Sequence, residues 1–335
     1  MRRCHRLRWQ VRSSLPRRRG RATATPPSRT LRTLSWIGSL AVFGAAVWIL
    51  HHYLSRIAWR DVMAAWSQLP NRRIAYSVAA AAVSFAMLAM FDVLAARTVA
   101  RDRVSARLAA FAGAVTQGIS NTLGFHAITG TALRYRIYAS VGVGAGDIAR
   151  IVGLAGLGVG LGFAVVITGA LCWQPAITHG WGRLPGIVLC VLLVALLVWL
   201  ARRPRTFTLG RWTLAFPSAG IAATQMLIGG VEMLAAISAL YVLLPASVAP
   251  PFVDFLPIYV GAVLAGIVSH SPGGLGVFET IMLAAFPAEA RADLLVAIVC
   301  YRLTYSLLPF VLASAALAVF EIRLRRHTKA TGKPP

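Results

Sequence analysis

Apolar residues in this chain fall in long unbroken runs, with neither the period-two alternation of a half-buried strand nor the one-sided stripe of a soluble helix. Six runs stand out, at 34–50, 74–96, 148–171, 185–201, 216–244 and 294–320. A hydrocarbon core of about 30 Å takes roughly 20 helical residues to cross, so each run reads as a span or close to one. Two further apolar segments are broken in the middle. The first, 108–130, is interrupted by Gly118-Ile119-Ser120-Asn121-Thr122-Leu123-Gly124-Phe125-His126. The second, 252–286, is interrupted by Ser269-His270-Ser271-Pro272-Gly273-Gly274-Leu275-Gly276. Glycine, proline and small polar residues free backbone groups that lipid cannot satisfy, so such breaks survive at membrane depth only inside protein or beside water.

The order of elements repeats: two spans, a broken segment, one span, and the same again. If each broken segment is a re-entrant hairpin, each half crosses three times and the second half is inverted relative to the first. The expected fold is an all-α integral membrane protein with about 6 full spans plus 2 interrupted segments, or 8 helices in all, as inverted halves at about 33–172 and 183–322. Residues 33–326 form the polytopic domain and 327–335 a cytoplasmic tail. Residues 1–32 hold eleven arginines and no acid. They read as a disordered cytoplasmic arm, an organelle transit peptide being the other reading. The run at 34–50 ends in His51-His52-Tyr53 without a small-residue cleavage site, as in a retained signal anchor.

Composition agrees. Hydrophobic residues make up 58% of the 335 and charged residues 13%, against about 25% charged in soluble domains. The net charge of +24 comes from 34 basic and 10 acidic residues. With both broken segments re-entrant and the N-terminus inside, 25 basic residues face the cytoplasm and 6 face outward; if both segments cross, the division is 20 against 11. The re-entrant arrangement obeys the positive-inside rule better. It places both termini in the cytoplasm. The lysines, Lys329 and Lys333, both lie in the tail, so the body offers no P-loop or Schiff-base lysine, and ATP-driven transport by this polypeptide alone is excluded. Cys4, Cys172, Cys190 and Cys300 are scattered, and there is no HExxH, GxSxG or metal-ligand cluster. No cofactor, metal or nucleic acid is expected.

Interrupted segments at matching positions of two inverted halves point to a substrate site. After Pro272-Gly273-Gly274 a helix can restart near Leu275, with its free N–H groups and positive dipole end turned inward as a phosphate receptor. A glycine-rich packing turn is the plainer account. Glu279 in that helix needs a cation, and Arg302, inside the last span, is the obvious partner, with or without a substrate role. Arg134 and Arg136 flank Tyr135 after the first break, where their forked guanidiniums could hold a lipid phosphate or serve as ordinary loop charges. In the second break itself Ser271 joins Gly273 and Gly274 as a candidate for substrate binding, and His270 is a candidate for the polar pathway. Ser218, Gln225 and Glu232 recur every seven residues on one helix face and suggest a polar lining. Asp92 is the other deep acid, either a proton carrier or one end of an interhelical hydrogen bond. Gly153, Gly156, Gly158, Gly160 and Gly162 form overlapping GxxxG pairs, which favour close helix packing over nucleotide binding.

Three stretches carry a family resemblance. Asn121-Thr122-Leu123-Gly124-Phe125 with Thr129-Gly130-Thr131-Ala132-Leu133-Arg134-Tyr135-Arg136-Ile137-Tyr138 resembles the first signature of the transmembrane part of lysylphosphatidylglycerol synthases, the multiple peptide resistance factor family. Ser269-His270-Ser271-Pro272-Gly273-Gly274-Leu275-Gly276-Val277-Phe278-Glu279 and Tyr301-Arg302-Leu303-Thr304-Tyr305-Ser306-Leu307-Leu308-Pro309 resemble the second and third. The resemblance spans roughly 35–326. It implies a flippase-like domain that moves phospholipid, typically aminoacylated phosphatidylglycerol, between the leaflets of a bacterial cytoplasmic membrane. The synthase domain of the two-part members has no room here, since the chain stops about 15 residues past the last span, so a stand-alone form without lysyltransferase activity is expected. The alternative is a membrane subunit that presents lipid to a separate synthase or glycosyltransferase.

Overall fold

The computed structural model describes residues 69–331, except 124–125, 174–182, 203–205, 210–211, 216 and 270, together with a few positions from 60 to 67. The basic arm and the apolar run at 34–50 lie outside the described residues, as does His270.

Ten α-helices follow in order among the described residues. They are α1 (Asn71–Val99), α2 (Ala106–Leu123), α3 (His126–Ala139), α4 (Ala145–Trp173), α5 (Arg183–Arg202), α6 (Ala219–Tyr241), α7 (Phe252–Val268), α8 (Val277–Ala285), α9 (Arg291–Tyr301) and α10 (Leu308–Thr331). One departure from the all-α expectation is a short antiparallel hairpin between α5 and α6, β1 (Thr206–Leu209) and β2 (Trp212–Ala215), with Thr206 opposite Ala215. It falls in the arginine-rich connection, where no apolar run demands a helix. A second departure is that α10 runs on to Thr331, through the start of the expected tail.

Five helical stretches are long and apolar enough to cross a membrane: Asn71–Val99, Ala145–Trp173, Arg183–Arg202, Ala219–Tyr241 and Ala288–Arg326. Their polarity is inside out. Along α1 the buried positions Ser77, Ala81, Ser84, Leu88, Asp92 and Ala95 step by three and four residues, one helical face, and include two serines and a carboxylate. Tyr76, Val83 and Met90, seven residues apart, are exposed on another. On α6 Gln225 and Glu232 are buried while Leu227 is 69% exposed. Water would favour the reverse, so the exposed apolar faces are surfaces for lipid.

Both broken segments fold back on themselves. Thr129 at the start of α3 donates to Ser120 near the end of α2 (3.1 Å), and a Cβ on Gly130 would lie 3.3 Å from Thr116 Cγ2 one turn further back, so these two helices run antiparallel. In the second segment the rings of Tyr259 on α7 and Phe278 on α8 lie 5.7 Å apart edge to face, and Phe255 lies 6.4 Å from Phe286, again an antiparallel pair. In the first hairpin α2 packs on α10, and in the second α7 packs on α4. The central contact joins α1, α4 and α6. There Gly162 on α4 meets Gly229 on α6 so closely that a Cβ on Gly162 would lie 2.6 Å from the Gly229 Cα. Gly158, one GxxxG step earlier, faces Phe91 and Gln225, whereas Gly153, Gly156 and Gly160 face open space. Close packing thus uses one of the overlapping pairs.

Candidate functional site

The tips of the two hairpins meet. A Cβ added to Gly273 would lie 3.0 Å from the Thr122 carbonyl oxygen and 3.3 Å from that of Asn121, so the second break rests on the last turn of α2, backbone against backbone. Gly273, Gly274 and Gly276 all have positive φ (58°, 68° and 81°), a region that side chains disfavour, which accounts for the glycines of the Pro272-Gly273-Gly274-Leu275-Gly276 turn. A third irregularity joins them. Between α9 and α10 the helix widens into a π turn over Arg302–Leu307. Pro309 lacks the N–H that would continue the α pattern, and Leu308 N reaches back to Leu303 O, while Thr122 Oγ1 donates to the Ser306 carbonyl at 3.1 Å.

Arg302 leaves this π turn toward the second tip. Its Nε donates to Glu279 Oε1 (2.7 Å), its NH1 donates to the Gly273 carbonyl (2.8 Å), and its guanidinium lies 5.1 Å over the Phe278 ring. The expected Glu279–Arg302 pair is therefore present, but the helix end is not open. The helix starts at Val277, not Leu275, and Glu279 Oε2 accepts the Gly276 N–H at 2.8 Å, closing the helix start with its own N3 carboxylate. The place foreseen for a phosphate holds the protein's own carboxylate. Ser271, 7% exposed, lies beside the tip, with Ser269 Oγ 3.2 Å from its hydroxyl.

In the first hairpin the sequence-predicted groups are rearranged. Arg134 is buried and grips Asp92 of α1 with a double fork, Nε to Oδ1 and NH2 to Oδ2, both 2.7 Å. Tyr138 adds an O–H donor to Asp92 Oδ1 at 3.1 Å. Asp92 is thus one end of an interhelical hydrogen-bond set, and because its main partner is the charged Arg134, burial is compensated by a counter-charge as well as by the neutral Tyr138 hydroxyl. Arg136 points elsewhere and forms an exposed fork with Glu321 of α10, both contacts 2.7 Å. Neither arginine stands free for a phosphate with its whole fork.

The polar stripe on α6 holds in part. Glu232 accepts from Ser84 on α1 (2.8 Å), which also shares a 2.8 Å hydrogen bond with the Tyr305 hydroxyl. Gln225 donates to the Leu154 carbonyl at 2.7 Å, and its Oε1 has no partner among the described residues. Ser218 lies outside the lining because its hydroxyl caps α6, accepting from Ile221 N. From Glu232 a row of rings continues: Tyr305 stacks on Tyr301 with centroids 5.0 Å apart, and Tyr301 and Tyr259 share a 2.6 Å hydrogen bond between hydroxyls. Tyr138, Tyr305, Ser84 and Glu321 had no separate signal, although Tyr138 stands one helical turn after Arg134 and Tyr305 one after Tyr301.

Apolar surfaces turned outward around a seam of buried ion pairs and broken helices define a multi-pass α-helical membrane protein. No family model matches the chain. It is 29% identical over 288 residues to the uncharacterized protein slr0712 of Synechocystis, a match covering 84% of this chain and 88% of that one. It is 24% identical over 306 residues to the inner membrane protein YbhN of Escherichia coli, covering 88% and 93%. Against the phosphatidylglycerol lysyltransferase of Staphylococcus xylosus it is 22% identical over 295 residues, covering 85% of this chain and 34% of the enzyme. The resemblance carried by the three signatures therefore holds: the chain is a homologue of slr0712 and YbhN, and its likeness to the lysyltransferase extends over about a third of that enzyme's length.

Proposed function

We propose that this protein carries the head group of an anionic, phosphatidylglycerol-type phospholipid between the leaflets of a bacterial cytoplasmic membrane, along the seam where the two hairpins meet. The observation behind this reading is the backbone contact of the two tips at Gly273 and Thr122, with Arg302 beside it. A charged head group enters hydrocarbon only at prohibitive cost, so a path for it needs polar groups at depth and a part that opens. The seam offers both. A phosphate oxygen presents to Arg302 and the Gly276 N–H the acceptors that Glu279 now provides, and transfer would exchange one anion for the other. Ser271, Gly273, Gly274, Glu279 and Arg302 form this exchange site. Gln225 and Glu232 line the approach, Asp92 and Arg134 hold the first hairpin in place, and Arg136, paired with Glu321, takes no part in the exchange. The swapped packing of the hairpins, α2 on α10 and α7 on α4, supports two inverted halves with re-entrant breaks. The phospholipid class follows the lysyltransferase relative, whose name specifies phosphatidylglycerol.

Proteoliposomes with fluorescent phosphatidylglycerol, quenched from outside by dithionite, test this. Wild type exposes inner-leaflet label. Folded Arg302→Gln slows the exposure by at least about tenfold, since about 1.4 kcal/mol of lost head-group contact already gives that factor. Gly160→Ala, with open space at its Cβ, serves as packing control. A folded wild type that moves no anionic lipid overturns the proposal and leaves a lipid-presenting subunit. Cysteines at 136 and 202 should react only from the cytoplasmic side, and outward reactivity would reject the re-entrant arrangement.

A further inference from the structure

A second feature lies at the corner between α1 and α2, away from the seam. With 29 residues, α1 is about 43 Å long, more than a hydrocarbon core of about 30 Å, so its last turn stands at the membrane–water interface. A cavity of about 510 Å³ opens there, lined by Arg97, Arg101, Val104, Ser105 and Ala106. Arg97 and Arg101 have no ion-pair or hydrogen-bond partner among the described residues. Other arginines are engaged: Arg103 donates to the Gly142 carbonyl, and Arg134, Arg136, Arg150 and Arg302 each meet a carboxylate. Asp102 is exposed between Arg101 and Arg103 and pairs with neither. Charge segregation accounts for arginines at an interface, but not for two unpartnered guanidiniums turned on one hollow.

The stripe beneath the hollow identifies its occupant. Tyr76, Val83, Met90 and Arg97 recur every seven residues, two helical turns each, and all four are exposed. One face of α1 thus presents an apolar strip to the lipid with a guanidinium at its head. A free phosphate would use the guanidiniums alone, whereas a phospholipid uses the strip as well. We propose that the Arg97–Arg101 pocket binds the phosphate of an anionic phospholipid from the adjoining leaflet, with an acyl chain lying along Met90 and Val83. Forked guanidiniums suit a phosphodiester, and basic pockets beside transmembrane helices bind anionic head groups. This site is distinct from the exchange site and is occupied at equilibrium whether or not the protein moves lipid.

The test is native mass spectrometry of the full chain in detergent with phosphatidylglycerol and phosphatidylcholine in competition. To separate it from the seam, the measurement is repeated in an Arg302→Gln background. Preferential phosphatidylglycerol retention is expected in both. Arg97→Gln with Arg101→Gln lowers it roughly tenfold in both, Arg97→Lys with Arg101→Lys restores part of it, and Arg72→Gln with Arg183→Gln, which removes the same charge elsewhere, leaves it unchanged. Melting temperature in detergent confirms that the variants are folded, as expected for exposed side chains. Equal retention by the double glutamine variant overturns the site, and displacement by inorganic phosphate at concentrations matching the lipid overturns the lipid as its source.

Discussion

The two hairpins carry one ion pair each, and the pairs are built differently. Asp92–Arg134 joins a spanning helix to the second leg of its hairpin. Its side chains are 0% and 8% exposed, both carboxylate oxygens are engaged by one fork, and Tyr138 supplies a further donor. Glu279–Arg302 lies at a tip, with the arginine 22% exposed, and both partners are shared: the glutamate with Gly276 N–H, the arginine with Gly273 O. A pair that is sealed and exclusive has nothing to exchange with, and so acts as a clamp. A pair that is partly open and divided among backbone groups can lose one partner and keep others, which suits a part that yields to a ligand.

The largest effect should come from breaking the clamp on one side. Asp92→Asn leaves a buried guanidinium without its counter-charge and should cost about 3–5 kcal/mol, read as a collapse of folded yield or melting temperature in detergent; adding Arg134→Gln should recover much of the loss. A tolerated Asp92→Asn would erase the contrast between the pairs. Next is Glu279→Gln, expected to cost about 1.5–3 kcal/mol, since Arg302 keeps the Gly273 carbonyl and the Phe278 ring. Its more telling readout is an increase in phosphatidylglycerol bound at equilibrium, measured in nanodiscs, and a decrease would show that Glu279 helps to hold lipid instead of standing in its place. Gly273→Ala should cost roughly 1–2 kcal/mol from its positive φ, plus any shift forced by Thr122 O, while Gly160→Ala stays neutral in the same melt. The smallest effect belongs to the exposed fork, where Arg136→Gln or Glu321→Gln should change stability by about 0.2–1 kcal/mol and fade further at high salt.

The framework was legible because hydrocarbon imposes its rule on every residue in a span. The apolar runs from 74–96 to 294–320 correspond to helices, and both mid-run breaks are hairpins. The partner of Glu279 was legible for a similar reason, since a deep acid needs a cation and Arg302 was the one inside the last span. The partner of Asp92 was not. Arg134 lies 42 residues away in a segment that reads equally well as a charged loop, and only the antiparallel packing of α3 on α2 brings the two together. Sequence spacing likewise left the restarted helix looking open, because a cap that closes on itself depends on Glu279 choosing one rotamer over another. The π turn had a cue in Pro309, but a proline near a helix end is equally compatible with a plain kink.

That π turn takes up a residue without passing the change on. An α-helix advances about 100° per residue, whereas the widened turn spreads one residue more over nearly the same rotation. Deleting a single residue from 302–307 would let the helix close up as regular α, and α10 would keep nearly the same phase, so Pro309 and Ala313 would still meet Gly118 and Glu321 would still face Arg136. The loss would be local: the Leu308 N–H would return to a nearer carbonyl, and the aim of Arg302 and the Ser306 carbonyl's contact with Thr122 would change. A residue added or removed within 308–320 has no such buffer and would turn the rest of α10 by about 100°, carrying Glu321 away from Arg136. Among homologues, length variation should therefore be rare between Leu308 and Glu321, and a residue missing between Arg302 and Leu307 should go with loss of the Arg302 geometry.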